Sequence, residues 1–108
     1  MAFQVEITDV ALGEAEDYVR FIRDNRKEPL AAEKWFRGLL TAIYSLEDLP
    51  NRNPVLPEQS EFTLELRHLI YHSHRIIYHV NSDEKIVIIY RIYHGYQKPL
   101  RATDLSRG

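Results

Sequence analysis

Apolar and polar positions alternate in different rhythms along this chain, and each rhythm predicts an element. Phe3-Gln-Val-Glu-Ile7 alternates one for one, the pattern of a half-buried strand. Asp9 follows as the N-cap of a helix, since its short side chain can accept from a backbone N–H of the first turn. Leu12, Ala15, Val19 and Ile22 then recur every three or four residues, with Glu14, Glu16, Asp17, Arg20 and Arg23 between them. That spacing predicts an amphipathic helix of about four turns. A polar break from Asp24 to Glu28 ends it, and Pro29 suits the first turn of a second helix. Ala32, Trp35, Phe36, Leu39, Ile43 and Leu46 line one face of that helix, widened by Leu40. Pro50 and the Asn51-Arg-Asn-Pro54 segment stop it.

The second half changes period. Residues 51–60 hold two prolines and read as an extended loop. Phe62-Thr-Leu-Glu-Leu-Arg67 alternates strictly, a strand with one wet face. The stretch from Arg67 to His94 then consists of two β-rich runs, 67–80 and 85–94, around the polar Asn81-Ser-Asp-Glu84, a hairpin signal. The last run is nearly continuous in β-branched and aromatic residues, as in a strand covered on both faces. Its polar exceptions, with those of the run before it, are Arg75, His79, Arg91 and His94, and chemistry is expected among them. Pro99 ends the last strand, because it cannot donate a ladder bond, and the tail from Arg101 is polar.

The order is β-α-α-β-β-β, an α+β domain: an N-terminal strand, an antiparallel helical hairpin, then a three-stranded antiparallel meander. The hairpin is expected on one face of a mainly antiparallel four-stranded sheet. Thr63, Glu65 and Arg67 are expected on the other.

Composition narrows the function classes. With 108 residues the chain reads as a single domain, 1–108. It has no cysteine, which removes disulfide, thiolate and cysteine–zinc chemistry. No apolar run approaches a membrane span and the N-terminus lacks a signal-peptide core, so a cytoplasmic protein is expected. The net charge of −2 argues against simple nucleic-acid binding. It is unevenly spread. From Arg67 onward seven Lys/Arg face three Asp/Glu and all five histidines are found, whereas the part before it is acidic. A polar molecule with a cationic face is one outcome; cancellation on folding is the other. His68, His72 and His74 have no carboxylate or cysteine nearby in sequence, so no metal site is expected. No Gly-rich phosphate loop or Ser/His/Asp pattern is present, and no cofactor is expected.

The element order, together with Ala32…Trp35…Leu39…Ala42-Ile43, Leu66-Arg67, His74-Arg75-Ile-Ile-Tyr78 and Tyr93-His94-Gly95, resembles the RelE/ParE superfamily over roughly residues 3–101. These are toxins of type II toxin–antitoxin modules, also called plasmid-stabilisation proteins. The long helical hairpin and the Tyr-His-Gly segment look closer to the ParE branch. The resemblance implies a growth-arresting toxin held inactive by a cognate antitoxin, as a hetero-oligomer with it. It also implies either of two targets. ParE-like members inhibit DNA gyrase; RelE-like members cut messenger RNA on the ribosome. A degenerate, non-toxic member is a third outcome.

For a ribonuclease, the resemblance implies Arg75 as the phosphate clamp, His94 as general acid or base, and Glu58 as the base for a ribose 2′-hydroxyl. For a binding toxin, it implies Arg67, Arg75, Arg91, Tyr96 and Lys98 as contacts to target or antitoxin. Two departures weigh against ribonuclease chemistry. Thr63 and Glu65 stand where RelE-like members carry lysines, and no arginine adjoins Gly95.

Overall fold

The computed structural model describes residues 2–95 and residue 101. Strand β1 (Gln4–Ile7) leads into helix α1 (Asp9–Arg20), and helix α2 (Pro29–Tyr44) runs back beside it. Strands β2 (Arg67–Tyr71), β3 (His74–Asn81) and β4 (Ile86–His94) complete a sheet of order β1-β4-β3-β2. β1 runs parallel to β4, and the other pairs are antiparallel. The α+β architecture and its element order are those expected.

Thr8, not Asp9, caps α1. Its backbone is extended, and its hydroxyl accepts from the Ala11 N–H at 3.1 Å while donating to the Tyr90 carbonyl at 3.1 Å. Both roles together need a group that donates and accepts, which an ionised carboxylate cannot do. Asp9 instead occupies the first helical turn, where its charge complements the helix dipole. α1 runs on as a π-helical turn, Phe21–Asn25, into what the pattern marks as a break. Lys27 then turns the chain at φ 57°, and Pro29 opens α2.

The helical stripes reach the core largely as their periodicity predicts. Ala15, Ala32, Leu39, Ile43 and Leu46 are buried against Ile76, Tyr78, Val87, Ile89 and Ile92 of the sheet. Leu12 is the exception at 40% exposure, because Ala11 takes the inward position and lets α1 lie close. Beyond Ile89 no strand lies on the β1 side of β4, since β1 ends there. Side chains of α1 and its cap replace it: Thr8 bonds the Tyr90 carbonyl, and the Glu14 carboxylate accepts from the Ile92 N–H at 2.9 Å. The exposed edge is thereby satisfied without a fifth strand.

Two strand expectations change. Residues 62–66 are not a strand, and the long run 67–80 breaks at His72-Ser73, with His72 in the left-handed region at φ 52°. The alternation of Phe62, Leu64 and Leu66 belongs to a strap that crosses the sheet. Gln59 holds it in shape, its amide donating to the Leu64 carbonyl and accepting from the Leu66 N–H. Those bonds occupy backbone groups that a ladder would need. Leu56, Leu66 and Phe62 then pack on Ile77 and Tyr90, closing the second face of the sheet.

That face is therefore largely covered by the strap. Thr63 and Glu65 are exposed on the strap, and Arg67 shares the parity of Leu69 and Tyr71, which pack on the helix side. A bulge opposite Ile77/Tyr78 leaves Tyr90 unpaired. Tyr90 shares the second face with Ile88, and beyond the bulge the alternation is reversed, so that Tyr93 joins the second face and Ile92 the first.

Candidate functional site

On the second face, the strap brings Glu58 to Arg75. The guanidinium donates two parallel bonds, Nη1 to Oε1 at 2.9 Å and Nη2 to Oε2 at 2.8 Å, with both side chains largely buried. Its planar group also lies over the Tyr93 ring, 5.7 Å from the centroid. His68 is diagonal to Arg75 across the β2–β3 ladder, on the same face. Partial burial pushes the His68 imidazole below the ordinary histidine range, and the Arg75 charge adds to this while Glu58 opposes it. A bidentate arginine–carboxylate pair has the geometry an arginine offers a phosphate. Here that fork is filled from within the chain.

The other two strand arginines are engaged in the same way. Arg91 donates to Glu14 at 2.9 and 2.7 Å. Arg67 donates to the Asn53 carbonyl at 2.6 Å and to Glu65 at 3.2 Å. These three arginines of the second half are thus matched by acidic residues of the first, and no cationic sheet face forms from them.

His94 lies on the opposite side of the sheet from Arg75. It pairs with His74 across β3–β4, one residue from the Arg75–Tyr93 pair, so its side chain points to the helices. The two imidazoles stack with centroids 4.6 Å apart, and Tyr18 packs against both. His74 is 1% exposed, and burial, aided by His94 and His72, lowers its pKa to about 4. Of the three residues named for ribonuclease chemistry, the fold brings Arg75 and Glu58 together and leaves His94 apart. Tyr96 and Lys98 lie outside the described residues.

The aromatic cluster continues to the surface. Trp35 packs on Tyr18, His74 and Tyr71, and the Tyr71 hydroxyl donates to the Trp35 carbonyl at 2.8 Å. Gly38 makes that approach possible, because a Cβ there would sit 2.1 Å from the Tyr71 oxygen. Between α2 and the β2–β3 turn this leaves an open groove of about 970 Å³, floored by rings and by Ile22. Arg26, Lys34 and His72 stand around it, as does Leu30, which is 80% exposed. Glu33, the one carboxylate lining the groove, is bonded to Arg37.

Sequence reasoning assigned no role to this groove. Leu30 was its visible signal, an apolar residue off the α2 stripe. Lys34 and Arg26 look like ordinary solvated charges until the fold places them at one rim. Among the described residues no group of three or more His, Asp or Glu is arranged to hold a metal, and no helix is long and apolar enough to cross a membrane.

The fold is that of toxins from toxin–antitoxin modules. The chain is similar to a solved structure of the chromosomal ParDE toxin–antitoxin system from P. aeruginosa, with 18% identity and a TM-score of 0.67 over 87% of this chain and 97% of that one. It is also similar to the toxin–antitoxin complex RelBE2 from Mycobacterium tuberculosis, with 18% identity and a TM-score of 0.58 over 89% and 94%. No curated protein matches the sequence. The model of the ParE toxin of the type II toxin–antitoxin system parDE matches residues 5–99. The chain belongs to that family.

Proposed function

We propose that this chain is a toxin that arrests growth by binding DNA gyrase, without chemistry of its own, and that a cognate antitoxin neutralises it, as in a plasmid-stabilisation module. The reading is supported most by the separation of Arg75 and Glu58 from His94. Cleavage by a ribose 2′-hydroxyl needs a base, a phosphate clamp and an acid around one phosphate. Here the sheet lies between the imidazole and the guanidinium, and the clamp and the base are bonded to each other. Membership of the ParE family points the same way.

Ribosome-dependent cleavage of messenger RNA is the competing reading, and one observation favours it: His68 stands beside the Glu58–Arg75 pair and could supply the imidazole that His94 does not. The deciding experiment uses the purified chain in two assays, supercoiling by gyrase and messenger RNA integrity on translating ribosomes. Inhibited supercoiling with intact RNA is the expected result. Intact supercoiling with cut RNA would replace this reading by the ribonuclease one, and activity in neither assay would mark a non-toxic member.

A further inference from the structure

One end of the molecule presents an apolar side chain that neither packing nor backbone preference accounts for. Leu49, between α2 and β2, is 76% exposed, and its backbone lies in the left-handed region at φ 48° and ψ 53°. A leucine is disfavoured there because its Cβ crowds the backbone, and Pro50 after it favours an extended conformation at its position. The other non-glycine residues with positive φ among those described are Lys27, His72 and Lys85, all polar. The conformation of Leu49 is nevertheless held from both sides. The Arg52 guanidinium donates to the carbonyls of Ser45, Asp48 and Leu49. Pro50 is buried, and its carbonyl accepts from the Tyr78 hydroxyl at 2.6 Å, which itself accepts from the Asn53 amide at 3.0 Å. A strained residue persists only where its surroundings over-determine it, and such positions cluster at functional sites. What the strain achieves here is to project a leucine into solvent.

The charges around it are of one sign. Glu47 and Asp48 precede Leu49, and both are exposed. Phe3 ties them to the β3–β4 turn: its N–H donates to the Glu47 carbonyl at 2.8 Å, and the Lys85 ammonium lies 5.2 Å from its ring centroid. Asp83 and Glu84 are exposed on that turn. None of these four carboxylates forms an ion pair among the described residues, while Lys85 is held at the Phe3 ring and Arg52 at backbone carbonyls. This acidic end lies away from the groove and from Arg75, because β3 has the β2–β3 turn at one end and the β3–β4 turn at the other. An exposed leucine beside carboxylates is complementary to an apolar pocket with a basic rim. Proteins that act on DNA or RNA carry basic surfaces of that sign. We infer that Leu49, with Glu47 and Asp48 beside it, is the anchor by which the toxin docks on its target protein, entering an apolar pocket rimmed by cations. The inference rests on the reading that the chain arrests growth through a protein target; it does not depend on that target being gyrase.

Leu49→Gly and Leu49→Asn test it, because both residues accept the left-handed conformation. Each variant is expressed without antitoxin and titrated against growth, and its melting temperature and its binding to the co-purified antitoxin are measured on purified protein. Both should melt no lower than the unmodified chain and bind the antitoxin fully. Both should need about tenfold to a hundredfold more toxin for the same arrest, the worth of burying one leucine side chain. Glu47→Lys with Asp48→Lys should weaken arrest as well, and full arrest by that variant would overturn the basic rim. Unchanged arrest by both Leu49 variants overturns the anchor. So does a marked drop in melting temperature in both, because the leucine would then serve the fold, and so does loss of antitoxin binding, because this end would then face the antitoxin. The supercoiling assay separates this from the gyrase reading. Arrest that depends on Leu49 while supercoiling stays intact retains the anchor and removes gyrase as its target, and an unmodified chain that arrests nothing overturns both.

Discussion

Two places in the molecule, the strap over β3 and the groove beside α2, treat their charges in opposite ways. On the strap side, Arg75 is buried and both its terminal nitrogens meet Glu58. On the helix side, the groove keeps cations at its rim that bond to no carboxylate among the described residues. The first arrangement closes a surface, and the second leaves one open. An arginine on a β-strand invites a functional reading from sequence, and here its fork is bonded to Glu58 within the chain. Lys34 on α2 and Arg26 before it look bland in sequence, and the fold gathers them at one rim. Burial decides between these roles, because a buried charge must be paired where it sits and an exposed one is free to wait for a partner.

The largest expected effect tests the closed side. Glu58→Ala leaves the Arg75 guanidinium buried beside Tyr93 without its carboxylate, and removing one partner of a buried pair costs about 3–5 kcal/mol. Urea unfolding should show that loss. Replacing both residues together, Glu58→Met with Arg75→Leu, should recover most of it, since an apolar pair needs no compensation. A Glu58→Ala variant of ordinary stability would mean that the strap is loosely held and that the Arg75 fork is accessible after all. The contrast between the two sides would then collapse.

Acid is expected to act next, through the floor of the open side. His74 has a folded pKa of about 4, below the ordinary value of about 6.5 for an unfolded histidine. Between those values the unfolded chain takes up a proton that the folded chain refuses. Stability is therefore full above pH 6.5 and falls as the pH drops toward 4, by on the order of 3 kcal/mol. Carboxylates titrate near the lower end of the window, so the comparison needed is the pH dependence of a His74→Phe variant. Its slope between pH 6.5 and 5 should be shallower. Identical slopes would assign the acid sensitivity to other groups.

How much of this was legible before folding follows the same division. The helices, their stripes and the strand content follow from periodicity, because one buried face selects one period. The partner of Arg75 was named as a residue but not as a partner, since Glu58 is seventeen positions away on an irregular strap. The strap itself was misread: Phe62, Leu64 and Leu66 alternate as a strand would, and nothing in that pattern reveals that Gln59 takes up the backbone groups. The His72-Ser73 turn has no glycine or asparagine to announce it. His94 and Arg75 are separated by parity once β3 and β4 are paired in register, which no sequence spacing displays. The groove was least legible of all. It depends on Gly38 in α2 meeting Tyr71 in β2, two residues with no local signal of their meeting.

That meeting gives a smaller, sharper test of how the open side is walled. Gly38→Ala drives a methyl group into the Tyr71 hydroxyl, which must swing out and give up the Trp35 carbonyl. Overpacking of this kind costs about 1–3 kcal/mol, toward the lower end here because the end of one side chain can move. In a Tyr71→Phe background, where the clashing oxygen is gone, the same substitution should cost measurably less. Equal costs in both backgrounds would show that the ring, not its hydroxyl, sets the wall.

The smallest effect completes the contrast. Lys34→Ala should change stability by no more than about 0.5 kcal/mol, because exposed charges without a bonded partner contribute little to folding. Arg26→Ala should cost only slightly more, through its contact with the Phe21 ring. Thermal unfolding of both variants beside Glu58→Ala measures the comparison on a single scale. If Lys34→Ala destabilised the chain as Glu58→Ala does, the rim cation would be holding the fold together in the way Arg75 does. A near-zero change leaves that charge with no structural task, which is the condition under which a binding partner can claim it.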